Sequence, residues 1–313
     1  MVGRAVGEYS KQCEVVKMLK IGYFADGPWS HNAFERLTDD PLIKIEFVCV
    51  RYDTADLTLK LFCDKHDVPY MKHENINSDD FISQVRDFNC DLFVSMSFNQ
   101  IFRQEIINLS KFKIINCHAG KLPFYRGRNI LNWVLINDEK EFGITVHFVD
   151  EGIDTGDIII QKTFPIAEHD DYSSLLEIAY IACAEILCEA IDLFKAGDIK
   201  GFSQEMIHPV GFYCNQRTVG DEVLNWNQSS RNIFNFIRAI ACPGPMARVF
   251  LNGSEMKINK SFFIAEAPSY IGSVGAILNK DSQGFYVKTL DSYIKITEFE
   301  FNGVVKVGDR FDV

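Results

Sequence analysis

Short apolar runs alternate along the first half of the chain with segments whose apolar residues recur at helical spacing. Leu19–Phe24 reads as a first buried strand, and Ile43–Val50, residues 91–95 and Ile114–Cys117 read as further strands. Between them the spacing predicts helices near His31–Leu37, over Leu57–His66 and over Ser78–Phe88, the last with Ser78 or Asp79 as its N-cap. Pro69 closes the second unit. This βαβα rhythm predicts an α/β fold: a Rossmann-like, doubly wound, mainly parallel sheet with helices on both faces. Such sheets bind ligands beyond the C-terminal ends of their strands, where Ser95–Gln100, Asn116 and His118 fall.

Residues 142–149 and 157–164 read as two more strands, with Asp154 in the loop between them. Ser173–Lys195 is a long amphipathic helix stopped by Gly197. From about Gln204 the character changes. One helix, Asn227–Ile240, is closed by Cys242-Pro243-Gly244-Pro245, and short alternating segments with frequent turns follow. That pattern predicts a small, OB-like antiparallel barrel. The expected organisation is a domain over 18–205, a C-terminal domain over 206–313 (helix plus barrel), and an N-terminal extension over 1–17, unless Met18 is the natural start.

Composition narrows the classes. The 313 residues are 47% hydrophobic and 24% charged, ordinary for a globular protein. No apolar run approaches the roughly 20 residues of a membrane helix. Glu8, Lys11 and Glu14 stand where a signal peptide needs an apolar core. Scattered cysteines without a Cys-x-x-Cys pair point to reduced thiols and a cytoplasmic location, and to no metal site. A net charge of −11 argues against a nucleic-acid partner held by general electrostatics. No Gly-x-Gly-x-x-Gly follows the first strand, so a dinucleotide site has little support.

The stretch 114–160 carries the chemistry. Alternation in an extended strand puts Asn116 and His118 on one face and Cys117 on the other. Asp154 follows in a Gly-Ile-Asp-Thr-Gly-Asp turn. An amide, an imidazole and a carboxylate can together polarise a carbonyl, accept a proton and orient the proton carrier. His147 reads as a buried, hydrogen-bonded histidine in a strand. Lys121, Arg126 and Arg128 form a basic cluster beside this site, suited to an anionic substrate.

Asn116-x-His118, Leu122-Pro123-Phe124-Tyr125-Arg126-Gly127, Thr145-Val146-His147 and Asp154-Thr155-Gly156 resemble, in order and spacing, the motifs of the folate-dependent formyltransferases. The resemblance covers most of residues 18–313. It implies Asn116, His118 and Asp154 as catalytic groups, and 10-formyltetrahydrofolate as donor, without a metal. It places Met96, Phe98, Asn99, Gln100, Ile101 and Asp150 on the folate, and Lys121, Tyr125, Arg126, Arg128 and Asn129 on the acceptor. Within the family, Tyr-Arg-Gly-Arg followed by Leu-Asn-Trp-Val-Leu-Ile-Asn is most similar to the nucleotide-linked amino-sugar formyltransferases of surface polysaccharide synthesis. The expected partners are therefore folate and a nucleotide-linked amino sugar, with no nucleic acid and no membrane, and with a homodimer left open. A methionyl-tRNA formyltransferase is the alternative reading, and a 10-formyltetrahydrofolate hydrolase stands behind it.

Overall fold

In the computed structural model, which describes residues 18–54 and 56–312, five strands run parallel: β1 (Leu19–Ala25), β2 (Ile43–Val50), β3 (Tyr70–Lys72), β4 (Leu92–Met96) and β5 (Ile114–His118). The extension expected over 1–17 lies outside the described residues. The crossovers hold α1 (Pro28–Asp39), α2 (Leu57–His66), α3 (Asp79–Arg86) and the short α4 (Gln104–Ile107). Helix α1 begins earlier than its apolar spacing suggests, because Pro28 occupies the first turn, where its missing N–H costs nothing. Ser78 caps α3, its Oγ accepting from Phe81 N at 3.3 Å.

After β5 the chain makes the two-residue strand β6 (Arg126–Gly127) and α5 (Ile130–Ile136), a helix the apolar spacing leaves unassigned. Strands β7 (Glu141–Phe148) and β8 (Ile158–Pro165) then complete a seven-stranded sheet of order β3-β2-β1-β4-β5-β7-β8. Both pair antiparallel, β7 on β5 and β8 on β7. The connection from β7 to β8 is too short for a crossover, so a return hairpin is the accessible geometry. The long α6 (Tyr172–Ala196) opens with a capping box at Asp171 and Ser174 and ends at Gly197 in the left-handed conformation.

Alternation along β1 sorts the core. Tyr23 and Ala25 join the cluster of α1 and α6, while Phe24 faces Phe81, Phe93, Phe98 and Phe102 on the opposite side. Gly22 is a packing residue: a Cβ there would lie 2.5 Å from the Phe47 ring and 2.7 Å from that of Phe93.

Beyond α6, residues 204–217 return across the larger sheet's open end and form β9 (Tyr213–Cys214), which pairs with β6. Helix α7 (Ser230–Ala239), capped by Ser229, packs against α5, with Asn132 Nδ2 donating to Ala239 O. Strands β10 (Ala247–Leu251), β11 (Ser254–Phe262), β12 (Ile277–Asp281), β13 (Gly284–Lys288) and β14 (Tyr293–Phe301) form an antiparallel sheet of order β10-β11-β14-β13-β12. The segment 309–312 hydrogen-bonds to Phe250 on one edge and to Gly275 and Ile277 at the other, drawing the edges into a barrel. Arg231 ties this unit back through Asp138, at 3.1 Å, and Glu168.

Candidate active site

Pairing lines up one residue from each of three neighbouring strands: Ser95 of β4 pairs with Asn116 of β5, and Asn116 with His147 of the antiparallel β7. Beside them lies a cleft of about 960 Å³ lined by both catalytic candidates of β5, by the 95–102 and 147–154 segments, and by residues 127–132 and 213–216. The expected alternation holds. Asn116 and His118 face the cleft, while the Cys117 thiol donates to Cys183 O at 3.5 Å on α6.

His118 is 8% exposed, and its Nε2 lies 2.8 Å from Tyr125 O. A carbonyl can only accept, so Nε2 carries a proton and Nδ1 is the nitrogen left without that bond. Nδ1 stands 3.6 Å from Asp154 Oδ2. That carboxylate oxygen also accepts from Gly127 N at 2.9 Å. Burial pushes the Asp154 carboxyl up, but the neighbouring His118 and the Gly127 N–H outweigh it and hold it well below the usual carboxylate range. Asp154 sits at φ 55, a left-handed conformation that Asp tolerates.

His147, 2% exposed, is part of the constellation as an orienting group. Its Nδ1 donates to Phe148 O at 2.7 Å, so the neutral ring accepts at Nε2 from Asn116 Nδ2, 3.2 Å away. That contact decides which way the Asn116 amide points. It leaves the second N–H and the Oδ1 for reacting atoms. The strand pattern marks His147 as buried and hydrogen-bonded, but not the identity of its partner across β5–β7.

The six residues expected on the folate all line the cleft. Phe98 is half-buried against Phe24 and Phe102, Ile101 is exposed, and Asn99 Nδ2 donates to Asp53. The Asp150 carboxylate accepts from Thr155 Oγ1 at 2.6 Å and Gly152 N at 3.1 Å. Met96 is a core residue whose sulfur accepts from the Tyr23 hydroxyl. The Gln100 amide accepts from Ile76 N at 3.0 Å and donates to His73 O at 2.8 Å, fastening the loop.

The acceptor-side residues divide. Arg128 and Asn129 line the cleft, and Arg128 Nη1 donates to Gln216 Oε1 at 3.0 Å. Lys121 instead pairs with Glu141, and the Tyr125 hydroxyl donates to Glu139 at 2.5 Å, both along a separate cavity of about 280 Å³. Arg126 donates to Gln204 and lies over the Tyr213 ring. Arg51, half-buried Trp29, Tyr172 and exposed Tyr213 complete the wall. None carries a local sequence signal, because each comes from a different element.

The described residues hold no cluster of His, Cys, Asp and Glu arranged as metal ligands. Among them no helix is long and apolar enough to cross a membrane.

Residues 46–191 match the family model described as formyl transferase, and residues 218–307 match the formyl transferase C-terminal domain. A methionyl-tRNA formyltransferase of Clostridium acetobutylicum is 32% identical over 240 residues, covering 76% of each chain. One of Geobacter sulfurreducens is 31% identical over 245 residues, covering 78% of this chain and 75% of the relative. Among solved structures, the sugar 3N-formyl transferase WlaRD, with dTDP and 5-N-formyl-THF, superposes with a TM-score of 0.66 at 22% identity, covering 92% of this chain and 99% of that one. The N-formyltransferase from Helicobacter canadensis, complexed with folinic acid and dTDP-3-aminofucose, gives 0.62 at 23% identity, covering 91% and 100%. These two likenesses concern the fold.

Proposed function

The chain belongs to the formyl transferase family, and on that premise we propose that it carries a formyl group from 10-formyltetrahydrofolate to the primary amine of a nucleotide-linked amino sugar. The donor supplies an activated formyl carbon; the remaining tasks fall to the chain. The cleft, of about 960 Å³, lies at the upper end of ligand-site volumes and suits two substrates meeting at its centre. Phe98 and Ile101 offer an apolar wall with polar Asn99 and Asp150 nearby, which fits a flat ring with a hydrogen-bonding edge.

Attack of the amine on the formyl carbon develops negative charge on the formyl oxygen. The free Asn116 N–H, aimed by His147, is the side-chain donor for that charge. His118, locked at Nε2, receives the amine proton at Nδ1, and Asp154 stabilises the imidazolium that forms. The proton then passes to the folate nitrogen as its bond to the formyl carbon breaks, releasing tetrahydrofolate and the formamide. The Gly127 N–H and the neighbouring His118 keep Asp154 ionised for that task against its burial.

One observation carries the choice of acceptor. Among the described residues, the cationic side chains lining the cleft are Arg128 and Arg51, the latter 3.5 Å from Asp53 and 3.7 Å from Asp26, set among Trp29, Tyr172 and Tyr213, on a protein of net charge −11. That arrangement suits one diphosphate and a stacked base better than a polyanionic backbone. The relatives near 30% identity favour a second reading, methionyl-tRNA as acceptor.

The test is a panel of dTDP-, UDP- and GDP-linked amino sugars beside methionyl-tRNA, each with 10-formyltetrahydrofolate, scored by mass spectrometry of the acceptor. Turnover of an amino sugar supports the proposal. Formylation of methionyl-tRNA with no sugar turned over replaces it by the second reading.

A further inference from the structure

We infer that Gln204 is a positioning residue for formyl transfer, holding the Asp154 turn against the segment whose N–H meets the Asp154 carboxylate. This rests on reading Asp154 as part of the transfer machinery. Gln204 reaches that place by local steps. Phe202 pairs with Ile158 on the edge strand β8, with both backbone bonds at 2.9 Å. A 3-10 turn over Gln204–Met206 follows, capped by the Ser203 hydroxyl. The turn tucks Gln204 beneath the catalytic loop, where it is 3% exposed.

Its amide is fully used. Nε2 donates to Asp154 O at 2.9 Å and to Gly156 O at 2.8 Å. Oε1 accepts from Arg126 Nε at 3.1 Å and Nη2 at 2.6 Å. A primary amide has two donor hydrogens and an acceptor oxygen with two lone pairs, so no capacity is left over. The two halves of that amide grip two different segments. One is the turn carrying Asp154 at φ 55. The other is Arg126, whose successor Gly127 donates its N–H to Asp154 Oδ2. A single buried side chain thus sets the distance between a carboxylate and its backbone donor. Arg128 and Asn129, at the acceptor end of the cleft, follow directly on the gripped segment.

Two substitutions separate this role from simple packing. Gln204→Met keeps the length and removes every polar contact. Gln204→Glu keeps an oxygen for Arg126 but turns an oxygen, not a donor, toward the Asp154 and Gly156 carbonyls. Both are expected to lower kcat by about 10- to 100-fold, the scale of a small misplacement of catalytic groups. The Kd for 5-formyltetrahydrofolate, used as a stable probe, should stay within about twofold.

Wild-type kcat in Gln204→Glu would overturn the inference, since the turn contacts would then be dispensable. So would losses of kcat that merely track the folded fraction measured by circular dichroism. If Gln204→Met does not fold, Gln204→Glu decides alone. Should the wild-type protein turn over neither the amino sugars nor methionyl-tRNA, the functional reading fails while this one stays testable. A crystal structure of Gln204→Glu should then show Gly127 N and Asp154 Oδ2 beyond about 3.5 Å, and an unchanged contact overturns it.

Discussion

His118 Nε2 donates to the carbonyl oxygen of Tyr125, seven residues further along the chain, at 2.8 Å. The bond decides which nitrogen of the ring is free. It depends on Gly120, where a Cβ would stand 2.4 Å from that nitrogen and 2.5 Å from that oxygen. Such an approach is inside van der Waals contact, so a methyl group must push the ring or the loop aside.

Gly120→Ala is therefore expected to lower kcat by about 100-fold through misplacement of the ring. Folate affinity and the circular dichroism spectrum should stay close to wild type. Activity within about threefold of wild type would show that the locked ring is unnecessary.

Asp154→Asn keeps the shape of the side chain and removes its charge. Loss of the imidazolium partner should reduce kcat by about 10²- to 10⁴-fold. The pH dependence has a defined sign. The folded-state pKa lies below the unfolded value, near 3.9. The carboxylate's contribution to stability is therefore present above about pH 4 and is lost as pH falls through the depressed value. Asp154 then imposes no acid limb on kcat above about pH 4. The stability gap between wild type and Asp154→Asn, from urea melts, should shrink on going from pH 7 to about pH 3. A gap that widens in acid would contradict the ion-pair account.

Arg128 and Lys121 separate by experiment what the sequence groups together. Arg128→Ala removes a cation lining the cleft and should raise the acceptor KM about 10- to 100-fold, the worth of a charged contact. Lys121→Ala removes a pairing with Glu141 at the smaller cavity and should leave that KM within about twofold. Kinetics with the same acceptor for both variants check this. Equal effects would return Lys121 to the substrate site.

Much of the candidate site was legible because its determinants are local. Asn116 and His118 share a face through strand alternation alone, and Asp154 lies in a turn whose Asp-Thr-Gly sequence suits tight geometry. The parallel sheet, the helix start at Ser78, the helix stop at Gly197 and the C-terminal run of short strands followed from periodicity and turn residues in the same way. Helix α5 was missed because Ile130–Ile136 is apolar on almost every side, wedged between the larger sheet and α7, and so shows no helical stripe.

Tertiary structure alone decided the assignments that depend on distant partners. Arg126 follows a Pro-containing turn as a phosphate ligand would, and two of its N–H groups go to Gln204, 78 residues away. Gln100 sits in the loop expected on folate, and its amide is occupied by His73 and Ile76. His147 acquired a partner, Asn116, only when β7 paired antiparallel with β5. Period and turn chemistry are properties of neighbours in the chain. A hydrogen-bonding group has a fixed capacity, and which neighbour in space fills it is settled only when the fold brings distant segments together.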